Sequence, residues 1–261
     1  MTAARRFNQT PLVFIIGLVA AGVTAHAQLD PAIAAHGGLA KWKSYGSAEF
    51  DLKWSSAKGV KQDHQLFDLR SREGLITGAN YSLGASKGEV WIKPDAKALG
   101  GTPPRFYMWT PFYFFGMPVV FADPGAMQEP LGKKTFQGHE YDATKVTFKK
   151  GTGDTSDDFY VAYVDPASGQ LKLVSYVVTY PIMRKGKPIE ELEQHAIVFQ
   201  EWQEADGLKV PKTAPFYVWK NENIEREPLA TLEFSNVHFS EKAPEQSKFA
   251  KPADAVVAPM E

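Results

Sequence analysis

Hydrophobic and polar residues alternate with a period of two over most of the chain, beginning at residue 47. In residues 47–54, Ala48, Phe50, Leu52 and Trp54 alternate with polar residues. Such alternation is typical of a β-strand with one buried and one solvated face. Further segments of this kind, separated by turn sequences, follow at 60–70, 74–83, 88–93, 141–150, 157–165, 170–180, 195–205, 208–220 and 229–240.

The connections between these segments favour antiparallel pairing. The turns DPASGQ (165–170) and ADGLK (205–209) are short enough to join adjacent strands as hairpins. About ten strands in this order, with almost no helix between them, predict one large antiparallel sheet rather than a parallel α/β sheet. The segments FYVAYV (159–164) and LVSYVVTY (173–180) are apolar on both faces, so we expect the second face to be covered or filled.

Two short segments near the N-terminus have other patterns. Residues 30–44 predict a short helix or helix pair, with Pro31 at the first helical position and Gly37-Gly38 as an interruption. Residues 1–27 predict a cleaved signal peptide, because two arginines and an apolar run precede Ala25-His26-Ala27. The alternative is a retained membrane anchor, but the run is shorter than the ~20 residues of a spanning helix. We therefore expect an exported, periplasmic single domain, 28–261, without a transmembrane anchor after cleavage.

Residues 105–121, RFYMWTPFYFFGMPVVF, are almost wholly apolar and rich in aromatic side chains. They could form a membrane span, a buried core element or the wall of a site for an apolar molecule. Regular strands do not accommodate the many prolines between Asp95 and Pro130, and Pro111 and Pro118 should break a long helix or a span. We expect short helical turns and loop that lie across the sheet as a lid.

Composition and motifs limit the kinds of ligand and reaction that the sequence supports. Removal of Arg5 and Arg6 from the 29 basic residues leaves 27 against 30 acidic residues, a net charge of −3, which gives no basic field for nucleic acid. The chain has no cysteine, and its six histidines are dispersed. The cluster DTSDD (154–158) lacks the ligand spacing of a calcium loop, so a solvated turn is the favoured interpretation. We predict no catalytic residue, no metal site and no cofactor from these patterns.

Several segments resemble known families. The strand and turn motifs YVDPASGQL, DGLKVP and FSNVHF are similar to those of the LolA-like superfamily of periplasmic lipoprotein carriers. This resemblance implies a mainly β fold, with a strongly curved antiparallel sheet or unclosed barrel of about eleven strands. It also implies a cavity that holds acyl chains or lipids without chemistry. The following segments resemble, in order, an uncharacterised family of exported bacterial proteins: AIAAHGGLAKWKSYGSAEFDL, FYFFGMPVVFADPGA, GHEYDATKVTF, GDTSDDFYVAYVDPASGQLKLVSYVVTY, EADGLKVPKTAPFYV and LEFSNVHFSEKAPEQSKFAKP.

These observations predict a binding protein for an apolar or amphipathic ligand such as a lipid. A hydrolase of lipid-like or aromatic esters, with Asp, Glu and His assembled in space, remains open, as does a module that receives a cell-envelope protein. Tyr107 and Tyr113 are expected to place their hydroxyls at the cavity rim. The candidate ligand-binding residues are the lid side chains and the apolar face of the first strand: Phe106, Tyr107, Trp109, Phe112, Tyr113, Phe114, Phe115, Met117, Phe50, Leu52 and Trp54.

Overall fold

One antiparallel sheet of fourteen strands organises residues 28–259, the part of the chain that the computed structural model describes. The predicted signal peptide lies outside the described residues. The strands are β1 Ser47–Ser56, β2 Gly59–Asp68, β3 Gly74–Gly78, β4 Ser82–Ser86, β5 Glu89–Lys93, β6 Ala126–Phe136, β7 His139–Phe148, β8 Tyr160–Val164, β9 Leu171–Val177, β10 Gln194–Val198, β11 Glu201–Ala205, β12 Leu208–Lys220, β13 Asn223–Ser240 and β14 Val256–Val257.

The strand order is β14-β5-β4-β3-β2-β1-β13-β12-β10-β9-β8-β7-β6, with β11 paired to β12. The two ends of the sheet, β14 and β6, do not pair with each other, so the sheet is curved but not closed. The predicted mainly β, unclosed antiparallel fold is confirmed. Both predicted hairpins are also present, since β8 pairs with β9 and β11 with β12. A β-bulge opposite Phe50, where β13 carries an extra residue, adds to the curvature of the central strands.

The number of strands exceeds the expected eleven for local reasons. The segments 74–83 and 195–205 each contain two short strands rather than one. Strand β6 begins at Ala126, inside the region predicted to contain only turns and loop, and it includes Pro130. A proline is tolerated there because β6 is an edge strand and the ladder with β7 shifts register between Pro130 and Gly132.

Within residues 28–259, four α-helices accompany the sheet: α1 Asp30–Ala35, α2 Leu39–Ser44, α3 Pro104–Phe115 and α4 Pro181–Arg184. The predicted N-terminal helix pair is confirmed. Gly37 and Gly38 separate α1 from α2 with φ angles of 102° and 88°, which other residues rarely adopt. No helix within 28–259 has the length and apolar character needed to cross a membrane.

The aromatic segment forms a single three-turn helix, α3, rather than only short turns. Pro111 lies inside α3 and does not end it. A proline cannot donate to the carbonyl one turn before it and usually kinks a helix. Pro111 thus leaves the Tyr107 carbonyl oxygen without its helical N–H donor, while one residue earlier the Thr110 hydroxyl donates to the Phe106 carbonyl oxygen at 2.7 Å. Burial of α3 between the sheet and its neighbours stabilises the helix despite the proline, and Gly116 marks its end.

The main core lies between α3 and the central strands. The Phe115 ring stacks on that of Phe50 at 4.2 Å between centroids, and Phe234 lies 5.5 Å from both rings. Gly74 on β3 allows a close approach, because a Cβ there would lie 2.5 Å from the Met108 methyl group. Helix α3 is therefore seated directly on this half of the concave face.

The opposite face of the sheet carries a second cluster of buried residues. Tyr163 and Trp219 pack edge to face at 5.8 Å, and Phe136 lies 5.8 Å from Trp219. Leu173 is fully buried in this cluster. This observation confirms the expectation that strands with two apolar faces are covered on both.

Candidate functional site

A cavity of about 1000 Å³ lies between α3 and the half of the sheet that α3 does not fill. Its walls come from α3, from strands β8, β9, β10 and β12, and from the loops 149–159 and 178–193. At its other end the wall is completed by α2 and the loop after β2. Exposed apolar side chains, Met183 and Leu229, mark places where the cavity opens to solvent. A concave, largely apolar space of this size is at the upper end of the range of small-molecule sites.

Six of the predicted site residues line this cavity. On α3 these are Phe106, Trp109, Phe112, Tyr113 and Phe114, and on β1 the residue is Trp54. They form a continuous aromatic surface with the sheet, since Phe216 lies 5.1 Å from Phe114 and 5.7 Å from Trp54. At the other side, the rings of Phe106 and Tyr180 lie 5.6 Å apart and connect α3 to the loop 178–193.

Five predicted site residues lie elsewhere. Tyr107, Phe115, Met117, Phe50 and Leu52 are buried in the core and do not line the cavity. The reason is the helical period, which places Tyr107 and Phe115 on the face of α3 that contacts the sheet. Because that helix covers the middle of β1, Phe50 and Leu52 are sealed, and only Trp54 farther along the strand reaches the cavity.

The predicted position of the Tyr107 hydroxyl was wrong. It is buried and donates to Asp63 Oδ2 at 2.6 Å, and the Tyr81 hydroxyl donates to the same oxygen at 2.6 Å. The Gln65 side-chain amide donates to Asp63 Oδ1 at 2.8 Å. Burial raises the pKa of Asp63, although these three donors and Lys61 oppose the shift. This network attaches α3 to β2.

The Tyr113 hydroxyl is not at the rim either. It is buried, and no group in the described part of the chain forms a hydrogen bond with it. The ring lies on the cavity wall, 5.5 Å from Tyr160. Burial raises the pKa of Tyr113, with a further contribution from the charge of Asp123. The residue thus contributes to the cavity wall, whereas its hydroxyl oxygen is enclosed by protein.

The sequence interpretation missed several wall residues on the strands. Tyr160, Tyr176, His195 and Phe216 all line the cavity. Their strands are apolar on both faces, and such a pattern does not show which face meets the cavity. The sequence showed that His195 lies at the start of a strand, but it did not show that the side chain is largely buried. This burial lowers the pKa of the imidazole. Glu193 lies 3.3 Å from its Nε2 atom and opposes that shift.

Two arginine–aspartate pairs occupy the cavity wall. The Arg105 guanidinium binds both oxygens of Asp154, at 3.0 Å from Nε and 2.8 Å from Nη2. Arg72 Nη2 lies 2.6 Å and 2.7 Å from the two oxygens of Asp123. Burial raises the pKa of Asp123, and the charges of Arg72 and Lys43 oppose the shift. The two pairs place charged groups beside the aromatic surface, and each arginine has a carboxylate partner.

The loop 149–159 is more ordered in its contacts than a solvated turn. Asp154 is exposed but held by Arg105, and Asp158 is half-buried, so these two residues of the predicted turn also have partners within the protein. The Thr155 hydroxyl donates to Asp158 Oδ2 at 2.6 Å, and the Thr179 hydroxyl donates to Oδ1. Burial raises the pKa of Asp158. Across residues 28–259 no three histidine, aspartate or glutamate side chains are grouped closely enough to hold a metal ion.

Comparisons with known proteins agree with this fold. Residues 105–226 match the model of DUF6503, a family of unknown function. The fold is similar to that of a LolA superfamily protein from Nitrosomonas europaea, with a TM-score of 0.55, 8% identity and coverage of 88% of this chain and 98% of that chain. It is also similar to a DUF1329 family protein from Desulfovibrio piger, with a TM-score of 0.50, 13% identity and coverage of 87% and 99%.

A search of the curated proteins gave no match. At these identities the structural similarity establishes the fold alone. The resemblance to an uncharacterised family and to the LolA-like fold, which the sequence motifs indicated, is confirmed at that level.

Proposed function

We propose that this LolA-like chain is a periplasmic binding protein that holds an apolar or amphipathic ligand, such as a lipid or an acyl chain, in its cavity. The observation that carries the proposal is the unfilled space of about 1000 Å³ beneath an aromatic helix. A well-packed interior contains few voids larger than a water molecule, so a space of this size needs a reason. The predicted signal peptide supports export, and the fold supports a curved sheet with room on its concave face.

The character of the wall supports an apolar occupant. Phe114, Phe216, Trp54 and Tyr176 form a contiguous aromatic surface, with centroid separations of 5.1 Å to 6.4 Å where the rings meet. Burial of apolar ligand area against such a surface contributes roughly 25 cal/mol per Å² before the costs of association. Met183 is a flexible side chain at the opening and can adapt to chains of different shape.

A hydrolase would need free carboxylates on the cavity wall, but the carboxylates there already interact with other side chains of the protein. Asp123 and Asp154 pair with arginines, and Asp158 accepts hydrogen bonds from two threonine hydroxyls. These contacts favour binding over hydrolysis. The exposed apolar residues Ile182, Met183 and Leu229 at the opening also suit contact with an envelope component that delivers or receives the ligand.

The test fills the cavity without disturbing the core. Ala230 is half-buried on the wall, so A230W places an indole in the space, while A57W adds the same side chain to the exposed turn between β1 and β2. We expect wild type and A57W to take up a fluorescent fatty acid and A230W to lose most of that uptake with a similar unfolding midpoint. Equal uptake by all three proteins, or none by wild type, would contradict the proposal.

Native mass spectrometry of the protein purified from its own periplasm, followed by solvent extraction, would identify a resident ligand. We expect a mass that is removed by extraction and is reduced in A230W. Release of the acid from a chromogenic fatty ester by the wild type, at a rate lost in A230W, would instead support the hydrolase.

A further inference from the structure

One part of the cavity wall is basic. Lys43 on α2 and the residues Arg70 and Arg72, just after β2, line the cavity together with a single facing carboxylate, Asp123. Both oxygens of Asp123 are bound by Arg72, at 2.6 Å and 2.7 Å. The charge of Lys43 also acts on Asp123 and opposes the rise of its pKa. Three basic side chains therefore line this part of the wall together with one carboxylate, in a chain whose overall balance is acidic.

Two of these three cations have no fixed partner. Within the described residues, neither the Lys43 ammonium nor the Arg70 guanidinium forms a hydrogen bond or an ion pair, and both side chains are exposed. The other arginine of the cavity, Arg105, differs, because its charge is balanced by bidentate contact with Asp154. The excess positive charge is thus confined to the region near α2.

An unsatisfied polar group lies next to this basic region. The Tyr113 hydroxyl is buried without a hydrogen-bond partner among the described groups, and the charges of Asp123 and Arg72 both act on it. The Arg72 guanidinium lies over the Phe112 ring, 5.4 Å from its centroid. Positive charge and aromatic surface therefore adjoin one another along the wall.

From this juxtaposition we propose that the ligand is an amphipathic anion. Its carboxylate or phosphate headgroup is bound by Lys43 and Arg70, and its apolar chain lies along Phe112, Trp109 and Phe114. The inference deepens the proposed function and rests on it. Arginine and lysine both bind carboxylate and phosphate, so the basic groups select a negatively charged headgroup. The aromatic wall selects an apolar chain for the rest of the ligand.

The experiment compares a fluorescent fatty acid with its methyl ester, which has the same chain and no charge. The variants are K43Q and R70Q, and the control is K58Q, an exposed lysine outside the cavity wall. A partly exposed ion pair contributes ~0.2–1 kcal/mol, so K43Q or R70Q should weaken binding of the acid by about 1.4- to 5-fold and the double variant by more. The K43Q and R70Q substitutions should not change the affinity for the ester. K58Q should bind both the acid and the ester as the wild type does.

The outcomes separate the two proposals. Acid and ester that bind equally, with no effect of K43Q or R70Q, would overturn the anionic headgroup and leave an apolar binding protein. Failure of wild type to bind either probe would contradict the proposed function itself. A competition arm distinguishes the source of the anion, since we expect a lysophospholipid with a phosphate headgroup, but not inorganic phosphate alone, to displace the fatty acid. Displacement by inorganic phosphate at comparable concentration would show a free-anion site and overturn the inference.

Discussion

The two halves of the concave face differ in how α3 meets them. On the side of β1, β2 and β13, Phe115, Phe50 and Phe234 fill the interface with ring separations from 4.2 Å to 5.5 Å. On the side of β8, β9, β10 and β12, about 1000 Å³ remains open between the helix and the sheet. The same sheet and the same helix thus form a solid core on one side and a cavity on the other.

The difference shows that a core plug and a cavity lid are not alternatives for this segment. Tyr107, Met108 and Phe115 lie on the face of α3 that fixes the helix to the sheet. Trp109, Tyr113 and Phe114 lie along the wall of the cavity. A helix anchored firmly by one face can present large aromatic side chains to an open space without collapsing into it.

The largest expected effect comes from the filled half. Phe115 is fully buried, so F115A should lower the free energy of unfolding by about 3–5 kcal/mol, because the substitution leaves a cavity that the surrounding rings cannot close. Urea denaturation measures the loss. The matched change on the cavity wall, W109A, removes a half-buried side chain and should cost less stability while weakening uptake of a fluorescent fatty acid. Equal stability losses and equal uptake by the two variants would erase the distinction between the halves.

The second effect concerns pH. His36 is buried against Trp202, 4.4 Å away between ring centroids, and burial lowers its pKa to about 4. Because the unfolded imidazole titrates near 6.5, the stabilisation from the neutral ring is complete above pH 6.5 and is lost as the pH falls towards 4. We expect the wild type to lose about 2–3 kcal/mol more than H36F over this interval.

Urea denaturation at each pH gives this difference directly. Asp63, Asp123 and Asp158 have raised pKa values and act in the opposite direction, but their contribution cancels between wild type and variant. The control is H139Q, at an exposed histidine of β7, which should follow the wild type. A pH dependence shared by H36F and wild type would show that His36 is not responsible.

The third effect compares two buried tyrosine hydroxyls. Y107F removes a donor to the Asp63 carboxylate and should cost about 1.5–3 kcal/mol, the range for hydrogen bonds to charged groups. The cost should decrease as the pH falls through the raised pKa of Asp63, because the protonated carboxyl needs the donor less. Y113F removes a hydroxyl without a partner among the described residues and should change the stability by less than about 1 kcal/mol. Equal losses from the two variants, measured by urea denaturation, would show that the Tyr113 hydroxyl is bound.

Local patterns in the sequence determined most of the fold. The alternation of Ala48, Phe50, Leu52 and Trp54 identified β1 and its buried face, because side chains on a strand point to opposite sides in turn. Gly37-Gly38 marked the break between α1 and α2, since both adopt positive φ angles. Short turns identified the hairpins. Each of these features depends on neighbours within a few residues, so the sequence itself carries the signal.

The extent of α3 and the position of β6 needed the tertiary structure. Pro111 and Pro130 predicted interruption from local chemistry, yet one lies in a buried helix and the other in an edge strand with a register shift. Burial and edge position are properties of the assembled sheet, so the hydrophobic pattern of a short segment does not predict them.

The candidate site, like the fold, was predicted from the sequence only in part. The sequence identified an aromatic segment over a sheet, but only packing decided that Phe106, Trp109, Phe112, Tyr113 and Phe114 meet the cavity while Tyr107 and Phe115 meet the core. The tertiary structure alone brought Arg105 to Asp154, Arg72 to Asp123 and Tyr107 to Asp63, pairs separated by 44 to 51 residues along the chain. Such contacts depend on the order and curvature of strands between them, whereas a hydrophobic period reports only which side chains share a face.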